Sequence, residues 1–308
     1  MSKSDELSKI REEIDSIDDQ ILSLINDRAN LAIQAGTAKT DKNKYKPARE
    51  SSILSRLSGS NDGPLKGEQI RNIFNEIISS CRSTESTFSI SFLGPEGTFS
   101  ESALEGQFGQ SVEKISEETI RSVFESVSNQ SSDFGIVPIE NSTEGSVNLT
   151  LDCLSEFNLS ICGEIEMEIH HNLLGHNKAL PKEGFEIHAH EQTLAQCRHW
   201  LESHCPGIKL VSVSSNAQAA LNVTDDNNII AIAGDLAAKK YGLDILSKNI
   251  EDYSSNTTRF LTVGNIDSSP TLADKTSIMA TTKNEEGALY SLLAVSYTHL
   301  TLPTTPYV

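Results

Sequence analysis

The sequence predicts a multidomain protein: an all-α segment over 1–86, an α/β segment over 88–266, and a short third stretch from 275 onward. Three observations carry this. Apolar residues near the N-terminus recur at alternating steps of four and three, the spacing of a helical seam. At Phe88 that period gives way to short β-rich runs alternating with helical stretches, the pattern of an α/β architecture with largely parallel sheets. Ser268-Ser269-Pro270 then reads as a linker. A chain of 308 residues is long enough for two or three such domains.

The first forty residues read as one long helix, with Ile10, Ile14, Ile17, Ile21, Leu24, Arg28, Leu31 and Ala35 on its seam. Pro47 opens a shorter helix through Leu57, the turn residues Gly59–Pro64 form a loop, and a third helix runs from about Lys66 to Glu85. Strands are expected at Phe88–Leu93, Phe134–Val137, Leu159–Ile165, Gly184–His188, Lys209–Val213 and Ile229–Ala233. Helices are expected at Glu101–Phe108, Ile120–Val127, Thr193–His204, Ala217–Leu221 and Asp235–Tyr241. Beyond the linker, Lys275–Thr282 reads as a strand and Gly287–Ala294 as the start of a helix, while Ser296–Val308 has no clear period.

Charge and cysteine usage narrow the function. With 25 basic and 43 acidic residues the net charge is −18, which disfavours nucleic acid and anionic membrane surfaces as partners. An anionic substrate therefore needs locally concentrated cations. Five cysteines without CxxC spacing fit a reducing compartment rather than a disulfide framework or zinc site. The charged N-terminus is unlike a signal peptide and no apolar run is long enough to cross a bilayer, so the expected location is cytoplasmic.

Lone lysines and arginines are nearly always solvated. Arg28 differs because it occupies a seam position, where a charge is costly unless paired. Lys39 follows it by eleven residues, close to three whole turns, so the two face the same way and lie about 16 Å apart along the axis. Two long side chains span that distance around a small anion. Arg11 is about 25 Å from Arg28, too far to share the ligand within one helix. An antiparallel dimer brings Arg11 of one chain to Arg28 and Lys39 of the other.

The run IREEIDSIDDQILSLINDRANLAIQAGTAK, with KPARESSIL and FNEIISSCRSTE, resembles the all-helical chorismate mutase domain of bacterial P-proteins over essentially all of 1–86. The resemblance implies a three-helix domain in an intertwined homodimer. It implies that Arg11 of the partner chain and Arg28 bind the two carboxylates of chorismate, and that Lys39 hydrogen-bonds the ether oxygen. Arg49, Glu50, Cys81 and Glu85 complete the pocket. The rearrangement to prephenate needs a compact conformer and a cation beside the ether oxygen, not a nucleophile. Glu85 stands where other versions carry Gln and must be protonated to donate. Lys46 stands where some members have an acid, leaving that contact unassigned.

In the α/β segment four motifs stand out: GPEGTFS at 94–100, PIENSTEGSV at 138–147, AHEQTLAQC at 189–197 and NTTRF at 256–260. The first reads as strand, glycine turn and helix start, with Ser100 a plausible cap; alone it is no more specific than a tight turn. The others gather amides and hydroxyls at probable strand ends, where α/β proteins place ligands. As a set, with SSNAQAA at 214–220 and NIEDYSSNTTRF, they resemble prephenate dehydratase over nearly all of 88–266. That family has two α/β lobes, like a small periplasmic binding protein, with the site in the cleft. By resemblance Thr258 protonates or hydrogen-bonds the departing ring hydroxyl. Arg259 holds carboxylates with the amides and hydroxyls of Thr98, Phe99 and Ser100. Asn141, Ser142 and Thr143 line the pocket, with Gln196 and Ser215 beside them. AHEQ replaces the more usual SHPQ at 189–192. His170-His171 and His188-x-His190 lack a completing acid or cysteine, so no metal is expected, and the reaction implies no cofactor.

KTSIMATTKNEEGALYSLLA resembles the opening of an ACT regulatory domain, the phenylalanine sensor of P-proteins, with Gly287, Ala288 and Leu289 at its effector-contacting turn. The family's second effector motif, ESRP, is absent. The expectation is an incomplete α+β ACT fragment at 275–295, an unassigned tail at 296–308, and impaired phenylalanine feedback. The whole reads as a bifunctional enzyme of phenylalanine biosynthesis acting on chorismate and prephenate. The rival reading is a non-catalytic dimeric solute-binding or regulatory protein.

Overall fold

The computed structural model describes residues 3–38, 45–85, 88–143, 145–176, 184–253, 255–266, 268–271 and 274–299. The chain forms two compact units, Met1–Thr271 and Leu272–Val308. The first unit opens with α1 (Lys3–Ala38), α2 (Pro47–Gly59) and α3 (Gly67–Ser83). Proline suits the first turn of α2, where its missing N–H has no helical partner to lose. α3 packs against both α1 and α2. α1 is about 54 Å long, and its seam stays uncovered: Ile10, Ile14, Ile17, Ile21, Leu24 and Leu31 are 47–67% exposed.

The α/β part has two lobes. β1 (Ser89–Leu93), α4 (Phe99–Phe108), β2 (Glu113–Glu117), α5 (Ile120–Ser128), β3 (Phe134–Asn141), β4 (Gly145–Ser146), α6 (Asn148–Glu156) and β5 (Ser160–Glu168) begin the first. The chain then builds the second from β6 (Asn172–Gly175), β7 (Glu186–His190), α7 (Glu191–Gln196), α8 (Arg198–His204), β8 (Lys209–Val213), α9 (Asn216–Asp225), β9 (Ile229–Ala233), α10 (Asp235–Tyr241) and β10 (Asp244–Ser247). It returns to the first sheet as β11 (Thr257–Gly264), giving the strand orders β2-β1-β3-β11-β5, with β4 on β3, and β10-β6-β9-β7-β8. The second lobe is thus inserted between β5 and β11, and the chain crosses between lobes at 169–171 and 248–256.

Strand alternation builds the cores. Ile136 and Phe260 face Phe92, Leu104 and Phe108 on one side of the first sheet; Val137 and Leu261 face Val123, Phe124 and Cys153 on the other. Leu173, Ile187 and Ile232 form one core of the second sheet, and Leu174, Ala219 and Ala231 another.

Several expectations change. The sheets are mixed rather than largely parallel: β1 pairs parallel with β2 and β3, and β7 with β8 and β9, whereas β11 runs antiparallel between β3 and β5, and β6 antiparallel to β9 and β10. The expected helix 193–204 is two helices, broken at Cys197 with φ −108° and ψ 12°. The expected strand Lys275–Thr282 is extended chain without regular structure; a strand is defined by its ladder, and none forms there among the described residues. α11 (Ala288–His299) begins where the helix start was read and runs into the stretch that showed no period.

The helical and α/β segments share a core. Tyr45 is buried among Phe88, Phe108 and Phe134. Arg82 of α3, 7% exposed, lies 4.7 Å from the centroid of the Phe88 ring and donates through Nη1 to both Glu50 carboxylate oxygens at 2.7 Å. Its Nη2 donates to the Phe108 carbonyl at 2.7 Å. Gly109 follows α4 with φ +72°, and a Cβ there would meet Ser79 Cβ at 2.4 Å, so glycine alone permits this approach of α3 to α4.

Candidate active sites

In the helical segment the structure places Arg28 half-buried on α1 and Arg11 exposed on the same helix. Lys39 lies outside the described residues. Cys81 is buried on α3, and Glu85 follows that helix with its carboxylate against Gly36, where a Cβ would stand 3.0 Å from Oε2. That packing brings Glu85 to the last turns of α1. Arg49 is exposed on α2. Glu50 is oriented by Arg82, and its carboxylate retains lone pairs for a further donor.

In the α/β segment the loop 94–100 leads from β1 into α4. The N-cap is Thr98, not Ser100, which is buried inside the first turn. Gly97 takes φ +86° and its N–H donates to Glu101 Oε2 at 2.6 Å. Glu101 is 2% exposed and also accepts from Lys114 at 3.0 Å and Lys240 at 3.4 Å. Burial pushes its pKa up, but the Gly97 amide and Lys114 outweigh that, leaving it below the usual carboxylate value. Because the folded value lies below the unfolded one, the stabilisation is full above the unfolded carboxyl range and is lost as pH falls through the folded value. Glu101→Gln is therefore expected to lower stability at neutral pH by about 1.5–3 kcal/mol. Denaturation midpoints measured from pH 7 to 3 should show the gap to wild type closing in acid.

Beside the crossings between the lobes a chain of hydrogen bonds connects three of the motifs with His171. Asn141 Nδ2 donates to Thr258 Oγ1 at 2.8 Å and to Asn256 Oδ1 at 3.0 Å. Asn256 Nδ2 donates to Gln196 Oε1 at 3.2 Å, and His171 Nε2 lies 2.9 Å from the same oxygen. The His171 ring stands edge-on to Phe99, centroids 5.6 Å apart. Thr143 anchors the other end, its N–H donating to Asn141 Oδ1 at 2.9 Å. Thr258, Asn141, Thr143, Gln196 and Phe99 thus converge although they arise from β11, β3, the turn after it, α7 and α4.

Three of the expected site residues make other contacts. Arg259 follows Thr258 on β11, where neighbouring residues face opposite sides of the sheet, and it donates to Glu140 at 2.5 Å and Glu164 at 2.8 Å. Ser215 caps α9, its Oγ accepting from Gln218 N–H at 3.0 Å. Ser142 ties the turn after β3 to β11, donating to the Ser255 carbonyl and accepting from Thr257 N–H. Conversely, His171, which the sequence offers only as half of a histidine pair, and Asn256 complete the chain. Asn256 heads the NTTRF motif, and that position is its one signal in the sequence. The adjacent His170 donates through Nδ1 to Glu251 Oε1 at 2.8 Å, which raises its pKa, whereas burial lowers that of His171.

A family model for chorismate mutase type II matches residues 10–86, and one for prephenate dehydratase matches 90–268. Over 300 residues the chain is 44% identical to the bifunctional chorismate mutase/prephenate dehydratase of Stutzerimonas stutzeri, spanning 95% of this chain and 82% of that one. The protein of the same name from Pseudomonas aeruginosa is 43% identical over 300 residues, with the same 95% and 82% coverage. The chain belongs to the bifunctional chorismate mutase/prephenate dehydratases. Among solved structures, a prephenate dehydratase from Arthrobacter aurescens in complex with L-Phe is 30% identical, with a TM-score of 0.60 over 68% of this chain and 71% of that one. As a bifunctional chorismate mutase/prephenate dehydratase, the protein rearranges chorismate to prephenate and then decarboxylates and dehydrates prephenate to phenylpyruvate, in phenylalanine biosynthesis. No helix among the described residues is long and apolar enough to cross a membrane.

Proposed function

We propose that the chain works as a homodimer whose two antiparallel α1 helices form two mutase pockets. The observation that carries this is the α1 seam, uncovered in one chain and carrying Arg28 among its isoleucines. In each pocket Arg11 of the partner subunit and Arg28 hold the two carboxylates of chorismate. Lys39 faces the ether oxygen, where negative charge develops as the C–O bond breaks. Arg49, Glu50, Cys81 and Glu85 line the remainder, with residues 1–86 as the mutase domain.

In the dehydratase domain, residues 88–266, Thr258 donates its hydroxyl hydrogen to the ring hydroxyl that leaves as water. The electrons of the departing carboxylate move into the ring, which becomes aromatic as carbon dioxide is lost. The first-turn amides of α4, from Thr98 to Ser100, and the Gln196 amide take acceptor oxygens of prephenate. Residues 275–295 open an ACT domain in which Gly287, Ala288 and Leu289 contact phenylalanine; the L-Phe complex of the Arthrobacter relative supports phenylalanine as the effector. Gly287 has φ +80° at that turn. All five cysteines are buried and none is in a disulfide, in keeping with a reducing cytoplasm.

Mixing subunits tests the shared pocket. Arg11→Ala and Lys39→Ala homodimers should each lose mutase activity. After dissociation and random reassociation, half the dimers carry one pocket with both residues intact, so about a quarter of wild-type activity should return. Absence of any recovery in mixtures shown to exchange subunits would place each pocket within one chain.

A further inference from the structure

His171 occupies the first crossing between the lobes, with its backbone held by the second crossing and its ring by Gln196 and Phe99. Its N–H donates to Glu251 Oε2 at 2.9 Å and its carbonyl accepts from Ile250 N–H at 2.8 Å. The ring is 2% exposed and lies against Phe99.

The direction of every hydrogen bond in the chain follows from one backbone group. Thr143 N–H can only donate, so Asn141 Oδ1 is its acceptor and Asn141 Nδ2 must donate. Asn256 therefore receives at Oδ1 and donates from Nδ2, and Gln196 receives at Oε1. The remaining group on Gln196 Oε1 is His171 Nε2, which must carry the hydrogen. Nε2 thus carries the hydrogen, and burial, which lowers the pKa of the ring, favours the neutral imidazole. Gln196 Oε1 is held from two sides, and the amide nitrogen is turned the other way. Among the described residues Gln196 Nε2 is buried without a partner. A buried amide donor held in one orientation is suited to an acceptor oxygen supplied by a ligand.

We propose that His171 is a positioning residue of the dehydratase reaction: with Asn256 it clamps Gln196 Oε1, so that Gln196 Nε2 is presented to a carboxylate or keto oxygen of prephenate. This rests on the reading of Thr258 and Gln196 as parts of the dehydratase site. Prephenate carries two carboxylates and a ketone, all acceptors, which matches an amide donor rather than an amide oxygen.

Steady-state turnover of prephenate by the full chain tests it, with the mutase rate and thermal midpoint as checks on folding. His171→Leu is expected to raise KM about 10–100-fold with a smaller change in kcat, since the amide holds the bound substrate and the transition state alike. Gln196→Leu should behave similarly, and the double variant should be no worse than Gln196→Leu alone. His171→Gln places an amide N–H near the imidazole Nε2 position and should recover most of the loss; His171→Asn ends too short and should not. Effects that multiply in the double variant, or equal recovery by Asn and Gln, would overturn the proposal. If His171→Leu fails to fold, the Gln and Asn variants decide alone. A Gln196→Leu enzyme with normal KM would instead overturn the assignment of Gln196 to the site, and the positioning role with it.

Discussion

Thr258→Ala is expected to lower prephenate turnover by about 10²–10⁴-fold while chorismate rearrangement continues at its normal rate. The geometry gives the reason. A threonine hydroxyl has one hydrogen to donate and two lone pairs. Asn141 Nδ2 fills one lone pair at 2.8 Å, and its own orientation is set by the Thr143 amide. In the proposed reaction the Thr258 hydrogen, not engaged by Asn141, donates to the ring hydroxyl that leaves as water. A neutral hydroxyl is a weak acid, but loss of carbon dioxide and aromatisation drive the departure, so a positioned donor in a partly dry site suffices. Thr258→Val keeps the shape at an 8% exposed position and removes only the hydroxyl; it should be as slow as the alanine variant. Thr258→Ser should stay within about tenfold of wild type, its freer χ1 accounting for the loss. Phenylpyruvate formation from added prephenate measures all three. Near-normal turnover by Thr258→Val would remove this hydroxyl from the chemistry.

The sequence exposes these residues unevenly. Lys209–Val213 and Ile229–Ala233 were legible to the residue because β-branched runs between turns leave a local mark. β2, with the sequence Glu-Lys-Ile-Ser-Glu on a half-exposed sheet edge, leaves none. β11 is absent from the expected strands, since its antiparallel partners β3 and β5 lie about a hundred residues away with no hairpin turn to announce them. The site divides the same way. Thr258, Asn141 and Gln196, which the hydrogen-bond chain brings together, sit in dense motifs. Arg259 was placed with Thr258 because adjacency in sequence says nothing about which face of the sheet a residue takes. His171 was passed over because its value comes from Gln196 and Asn256, residues brought to it only by the double crossing between lobes. Arg82, which pairs with Glu50 inside the helical segment and joins that segment to the α/β part through the Phe108 carbonyl, is likewise a tertiary contact with no local signature.

The same asymmetry makes α1 the place where one substitution pair separates the two activities. Ile14→Glu with Ile21→Glu is expected to yield a monomer whose mutase rate falls by at least 10²-fold and whose dehydratase rate stays within about twofold. Ile14 and Ile21 are 51% and 47% exposed in the single chain and two turns apart, so a second helix laid on the seam covers both. Burying each such side chain stabilises by about 1.5–3 kcal/mol, and each residue occurs on both chains of a dimer. Their replacement removes that stabilisation and adds carboxylates to a helix that already carries Asp15, Asp18 and Asp19 between them. Without the partner's Arg11, one carboxylate of chorismate loses its cation and the compact conformer is no longer held. The dehydratase hydrogen-bond chain, from Thr143 to His171, lies wholly within the α/β part of one chain and has no contribution from α1. Sedimentation reports the oligomeric state, and parallel assays with chorismate and prephenate report the two sites. Arg11→Ala separates the causes, because it should abolish mutase activity in a chain that remains dimeric. A double-glutamate variant that is monomeric and still rearranges chorismate at the wild-type rate would show that each mutase pocket is complete within one chain.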